Sequence, residues 1–83
     1  MTDDRKINRL RKDLDKIDDK LVELIEQRIV AAQKIVSEKK LVGLSVEDAV
    51  REDQIIKRLT KDKKTAPLVE DIFRRIFSWV KSL

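Results

Sequence analysis

The sequence predicts an all-α fold with three helices per chain, one long and two short. Apolar residues recur at spacings of three and four through the first forty positions, the period of one helix face. Only one Gly and one Pro occur in 83 residues, so few turns can interrupt those helices. Apolar residues make up 41% of the chain, enough to fold, although aromatic residues are only 4%. Residues 1–83 are expected to form a single domain, near the lower limit for a self-sufficient core.

The long helix comes first, from about residue 5 to residue 40. Its stripe is Ile7, Leu10, Leu14, Ile17, Leu21, Leu24, Arg28, Ala31 and Ile35. Asp3 and Asp4 suit its N-terminal end, and Lys39 and Lys40 suit its last turn, where each charge complements the helix dipole. "LVGLS" breaks the pattern, with Gly43 as the C-terminal stop. Ser45 is the expected N-cap of the second helix, with Asp48 at its third position in a variant capping box. That helix points Ala49, Ile55, Ile56 and Leu59 inward and ends near "TKDKKT". Thr65 and Pro67 open the third helix, since Pro fits a first turn. The third stripe is Val69, Ile72, Phe73, Ile76 and Val80.

These lengths bear on assembly. A helix of that span is about 50 Å long at 1.5 Å per residue. A compact globule of this chain length has a radius of gyration of about 12 Å. Two short helices cannot cover every apolar position on such a rod. A second copy of the long helix is the simplest cover, which predicts an obligate homodimer built as an intertwined helical bundle.

Composition excludes several kinds of chemistry. There is no Cys, hence no disulfide framework and no thiolate zinc site, and a reducing, cytoplasmic setting is expected. There is no His, which removes the commonest general base and the commonest transition-metal ligand. No metal and no cofactor are expected. No apolar run is long enough to span a membrane, and the start does not resemble a signal peptide. The net charge of +4 attracts anions, yet its 20 basic and 16 acidic residues are interspersed. A nucleic-acid binder needs a gathered basic face, and the only candidate, "KRLTKDKKT", reads as a solvated loop with a helix end. A nucleic-acid partner is therefore not expected. Charged residues at 43% also suit a heat-adapted protein.

Several charged residues stand where apolar ones would be expected. Arg28 occupies a seam position, and Lys39, eleven residues on, points within about 20° of it at 100° per residue. Both could snorkel, laying stems on the core and heads in water. An arginine between seam residues is costly to bury unpaired, so it calls for a carboxylate. Arg11 lies about 100° around the helix from Arg28 and about 25 Å away along it. Taken alone it reads as a solvated arginine, but in an antiparallel dimer it would lie near the middle of the partner helix. In "SVEDAVREDQII", Asp48, Arg51 and Glu52 lie on or beside the stripe continued by Ile55 and Leu59. Local physics explains them equally well as a surface cluster with a weak Asp48–Arg51 pair.

"LRKDLDKIDDKLVELIEQRIVAAQKIVSEKK", followed by "DAVREDQIIKRL" and "PLVEDIFRRI", resembles the all-helical class of chorismate mutases. The similarity runs from about Leu10 to Val80 and rests on the order and spacing of Arg11, Arg28, Lys39, Asp48, Arg51 and Glu52. It implies an isomerase of aromatic amino-acid biosynthesis that converts chorismate to prephenate. That pericyclic step needs neither a nucleophile nor a proton transfer, so the absence of His and Cys is no obstacle. The resemblance assigns Arg28, together with Arg11 from the partner chain, to the two substrate carboxylates. It assigns Lys39 to the ether oxygen, Glu52 with the Asp48 region to the ring hydroxyl, and Arg51 to the charged wall. Lys39, Arg28 and Glu52 would be the catalytic residues.

The resemblance departs at one point. The class usually carries a Gln in the last helix, four residues after a small polar residue, as a second donor to the ether oxygen. Here Val80 takes the small polar position, and the sequence ends at Leu83, one residue short of the Gln. Either the sequence is truncated, or another group substitutes, with Lys81 and Ser82 the nearby polar candidates. Losing such a donor costs a few kcal/mol of transition-state stabilisation. Two rival readings remain: an isochorismate pyruvate-lyase of the same helical family, which "IFSWV" around Trp79 slightly resembles, and a helical dimerisation or regulatory module without catalysis. Helix packing is the better explanation of Trp79.

Overall fold

A computed structural model describes residues 2–83, with side chains from Asp4 onward. The described residues hold three helices and no strand: α1 (Thr2–Leu41), α2 (Ala49–Thr60) and α3 (Ala66–Ser82). The expected long-short-short order is thus observed. Asp4 is exposed in the first turn of α1, while the side chain of Asp3, also expected there, lies outside the described residues.

Up to Val30 the chain is a single helical segment. Its stripe is open to solvent in one copy of the chain, with Ile7 at 45% exposure and Ile17 at 61%. Arg28 and its neighbours Ile25 and Ile29 are half-buried.

Residues 31–83 form a compact unit of their own. Here α1 ends as expected, at Gly43. The Leu44 amide donates to the Lys39 carbonyl (2.8 Å) and the Gly43 amide to the Lys40 carbonyl (3.3 Å). Gly43 sits at φ +74° between them, the left-handed geometry of a Schellman stop, which a residue with a Cβ adopts only at a cost.

The second helix starts three residues later than the sequence suggests. Asp48, not Ser45, is the N-cap: its Oδ1 accepts from the Arg51 amide at 3.0 Å, and its carbonyl accepts from the Glu52 amide at 3.0 Å. Ser45 instead accepts from the Glu47 amide at 3.2 Å, closing a local turn. The shift leaves Ala49 in the first turn, exposed rather than directed inward.

The core lies between α2 and α3. Ile55 and Ile56 pack with Phe77, flanked by Leu59 and Phe73, and Ile76 and Val80 are also buried. The Phe73 and Phe77 rings meet edge to face, with centroids 6.2 Å apart at 64°. Phe77 was absent from the predicted stripe, whereas Ile72, included in it, is 42% exposed. The apolar face of α3 is therefore rotated toward Phe77. Arg74 ties the two helices at the surface, donating to Asp53 at 3.0 Å and to Glu70, one turn back, at 3.4 Å. Thr65 caps α3 without a side-chain hydrogen bond, and Pro67 stands in its first turn as expected.

Candidate active site

The Gly43 stop determines what the last turn of α1 meets. The chain reverses and brings the loop before α2 back beside Lys39. The Lys39 amine donates to Asp48 Oδ2 at 3.4 Å. One Asp48 carboxylate thus does two jobs, capping α2 with one oxygen and holding Lys39 with the other. These bonds hold the Asp48 carboxyl below the usual carboxylate range, chiefly through the Arg51 amide and then through the Lys39 amine.

Glu52 follows one turn into α2, on the side that faces the end of α3. Its Oε2 lies 3.0 Å from the Lys81 amine, which also donates to Glu47 Oε1 at 3.1 Å. The two carboxylates, Glu52 first, raise the Lys81 amine above its ordinary value. Arg51 is exposed beside them. Ser82, the other polar candidate near the end of the chain, donates its hydroxyl to the Trp79 carbonyl of its own helix at 2.7 Å.

Lys39, Asp48, Arg51 and Glu52 are therefore brought into one charged neighbourhood, and Lys81 and Glu47 join it. An open groove of about 350 Å³ adjoins it, lined by Ile35, Val42 and Leu44 with Lys34, Glu38 and Lys39. Arg11 and Arg28 belong to the segment before Ala31, the first exposed and the second half-buried, 17 positions apart on α1. That separation is about 25 Å at 1.5 Å per residue, too far for both to hold one small molecule within a chain. The Lys81 pairs had no local signature, since Glu47 and Glu52 lie 34 and 29 positions earlier.

A family model for chorismate mutase type II matches residues 10–83. The chain belongs to that family. The match takes in all six charged residues that the sequence singled out. Chorismate mutases of this type are isomerases that act on chorismate, and the all-helical architecture agrees with the family. Comparison with curated proteins found no match, and neither did comparison with solved structures. Among the described residues no helix is long and apolar enough to cross a membrane, and no group of carboxylates is arranged to hold a metal ion.

Proposed function

We propose that the chain is a chorismate mutase which rearranges chorismate to prephenate in aromatic amino-acid biosynthesis, working in the cytoplasm as an intertwined homodimer with two shared sites. The observation that carries this reading is the family match over residues 10–83, within which all six charged residues lie.

The substrate is a dicarboxylate that reacts through a compact conformer, so fixed cations can both bind it and restrain it. Arg28 and Arg11 of the partner subunit take its two carboxylates, where the planar guanidinium permits paired hydrogen bonds. Negative charge builds on the ether oxygen as its bond to carbon breaks. Lys39 donates there and stabilises the transition state more than the ground state. Its 3.4 Å bond to Asp48 supports this role, because it holds the amine in place before substrate arrives. Glu52, with the Asp48 region, accepts from the ring hydroxyl, and Arg51 completes the charged wall. The second copy is supported by the stripe from Ile7 to Leu24, whose large apolar side chains are about half exposed in one chain. Their burial, at about 25 cal/mol per Å², would favour association.

The test is incubation of the purified chain with chorismate and, separately, with isochorismate, following loss of absorbance and identifying the product. Prephenate supports the proposal. Pyruvate released from isochorismate would transfer the site to a lyase, and no turnover of either would leave a non-catalytic helical module.

A further inference from the structure

Among the described residues of the charged neighbourhood, Lys81 is the one cation to which the proposed mechanism gives no task. It stands in the last turn of α3, immediately after Val80, which is buried and fixes that end of the helix on the core. Its amine bridges Glu52 at 3.0 Å and Glu47 at 3.1 Å. The two carboxylates differ: the Glu52 side chain is 18% exposed and the Glu47 side chain 62%. The bond to Glu52 is therefore the better shielded from water, and the one whose loss would be felt more.

We propose that Lys81 is a positioning residue that holds the Glu52 carboxylate at the edge of the site and balances its charge against an incoming dianion. This inference rests on the mutase reading. Lys39 pairs with Asp48, Lys81 with Glu47 and Glu52, and the Arg51 charge acts on Asp48, so these three cations and three carboxylates sum to zero. Remove Lys81 and the set becomes net negative, and Glu52 repels the molecule whose hydroxyl it must receive. With Lys81 present, the two arginines assigned to the substrate carboxylates act without that opposition. Glu52 is also confined between two helices, anchored by its own backbone in α2 and by an amine from α3, which fixes its rotamer more firmly than solvent would.

The test compares kcat and KM for chorismate in the wild-type protein and in Lys81→Met, Lys81→Arg, Glu47→Gln, Glu52→Gln and the Lys81→Met/Glu52→Gln double variant, with helicity checked by circular dichroism. Methionine keeps the apolar stem and removes the charge. Lys81→Met should lower kcat/KM about tenfold, the scale of one charged contact made next to a reacting ligand, and Lys81→Arg should restore it to within about threefold. Glu47→Gln should stay within about twofold of wild type. In the Glu52→Gln background, Lys81→Met should cost less than about twofold, because the charge it balances is already gone. Wild-type activity in a folded Lys81→Met protein would overturn the inference, as would an undiminished Lys81→Met effect in the Glu52→Gln background. So would a loss in Glu47→Gln equal to that in Lys81→Met, which would make the loop pair the working one. Wild-type protein that does not turn over chorismate would overturn the mutase reading and this inference together. An active wild type with an indifferent Lys81 removes this inference alone.

Discussion

Phe77 is the point at which the site depends on the core. It is 7% exposed, packs on Ile55 and Ile56 of α2 and meets Phe73 edge to face. Truncation to alanine removes a ring from a cluster too small to close over the gap. Phe→Ala changes in cores cost about 3–5 kcal/mol, of which the edge contact alone accounts for about 0.5–1.5 kcal/mol. A core in a chain of this size supplies about 3–5 kcal/mol. Phe77→Ala should therefore leave α3 undocked from α2 in most molecules, separate Lys81 from Glu52, and abolish turnover. Phe77→Leu, which keeps most of the volume, should cost about 1 kcal/mol and preserve activity. The assay is urea unfolding followed by circular dichroism at one fixed protein concentration, since a dimer's stability depends on concentration. A midpoint shift worth less than about 1 kcal/mol for Phe77→Ala would show that the α2–α3 contact is not where the stability lies.

Three further outcomes are expected. Asp48 carries a lowered pKa, so its ionised form stabilises the fold fully above its unfolded value of about 3.9 and progressively less as pH falls through the depressed folded value. Asp48→Asn keeps an oxygen for the cap but does not titrate, so thermal melts should show the wild type losing ground to it below about pH 4, and a constant gap from pH 7 to pH 2 would contradict the assignment. Gly43→Ala places a Cβ at φ +74° with nothing within 4 Å of it. The penalty is then purely backbone, about 1–2 kcal/mol, and Gly43→Asn should cost less; urea midpoints unchanged in both would refute the left-handed stop. Arg11→Ala and Arg28→Ala proteins should each be nearly inactive, yet mixing and re-forming them should restore about a quarter of wild-type turnover, because half the dimers are mixed and one of their two sites carries no lesion under two-fold symmetry. No recovery after proven subunit exchange would mean that the sites are not shared.

The helices were legible in the sequence because their apolar spacing is long and uninterrupted, and Gly43 was legible because a left-handed stop admits few other residues. The start of α2 was not. Ser45 and Asp48 are both good caps three positions apart, and a local pattern cannot choose between them. The choice falls to Asp48, whose second oxygen also has a partner in Lys39, nine positions earlier, while the Ser45 hydroxyl closes a turn on Glu47. Phe77 was missed for a similar reason. It fits one face of α3 as well as Ile72 does, and only the position of Ile55 and Ile56 decides which of them is buried. The charged residues could be named from order and spacing, but their partners could not. Lys39–Asp48 and Lys81–Glu52 both join different elements of the fold.

Those two pairs also explain why a short helix carries charge beside its buried stripe. Asp48 caps α2 and Glu52 lies one turn inside it, on the same face, so both carboxylates are fixed by one helix start. Each is met by a lysine from a different element, Lys39 at the end of α1 and Lys81 at the end of α3. The lysine ends of two helices converge on the acidic start of a third, an arrangement that helix dipoles favour at every terminus involved. A Claisen rearrangement requires oriented charge rather than a base or a nucleophile. A chain without His or Cys can supply that orientation by arranging ordinary ion pairs where helix ends meet. On the proposed function, these four side chains are held in register for what they present to the substrate.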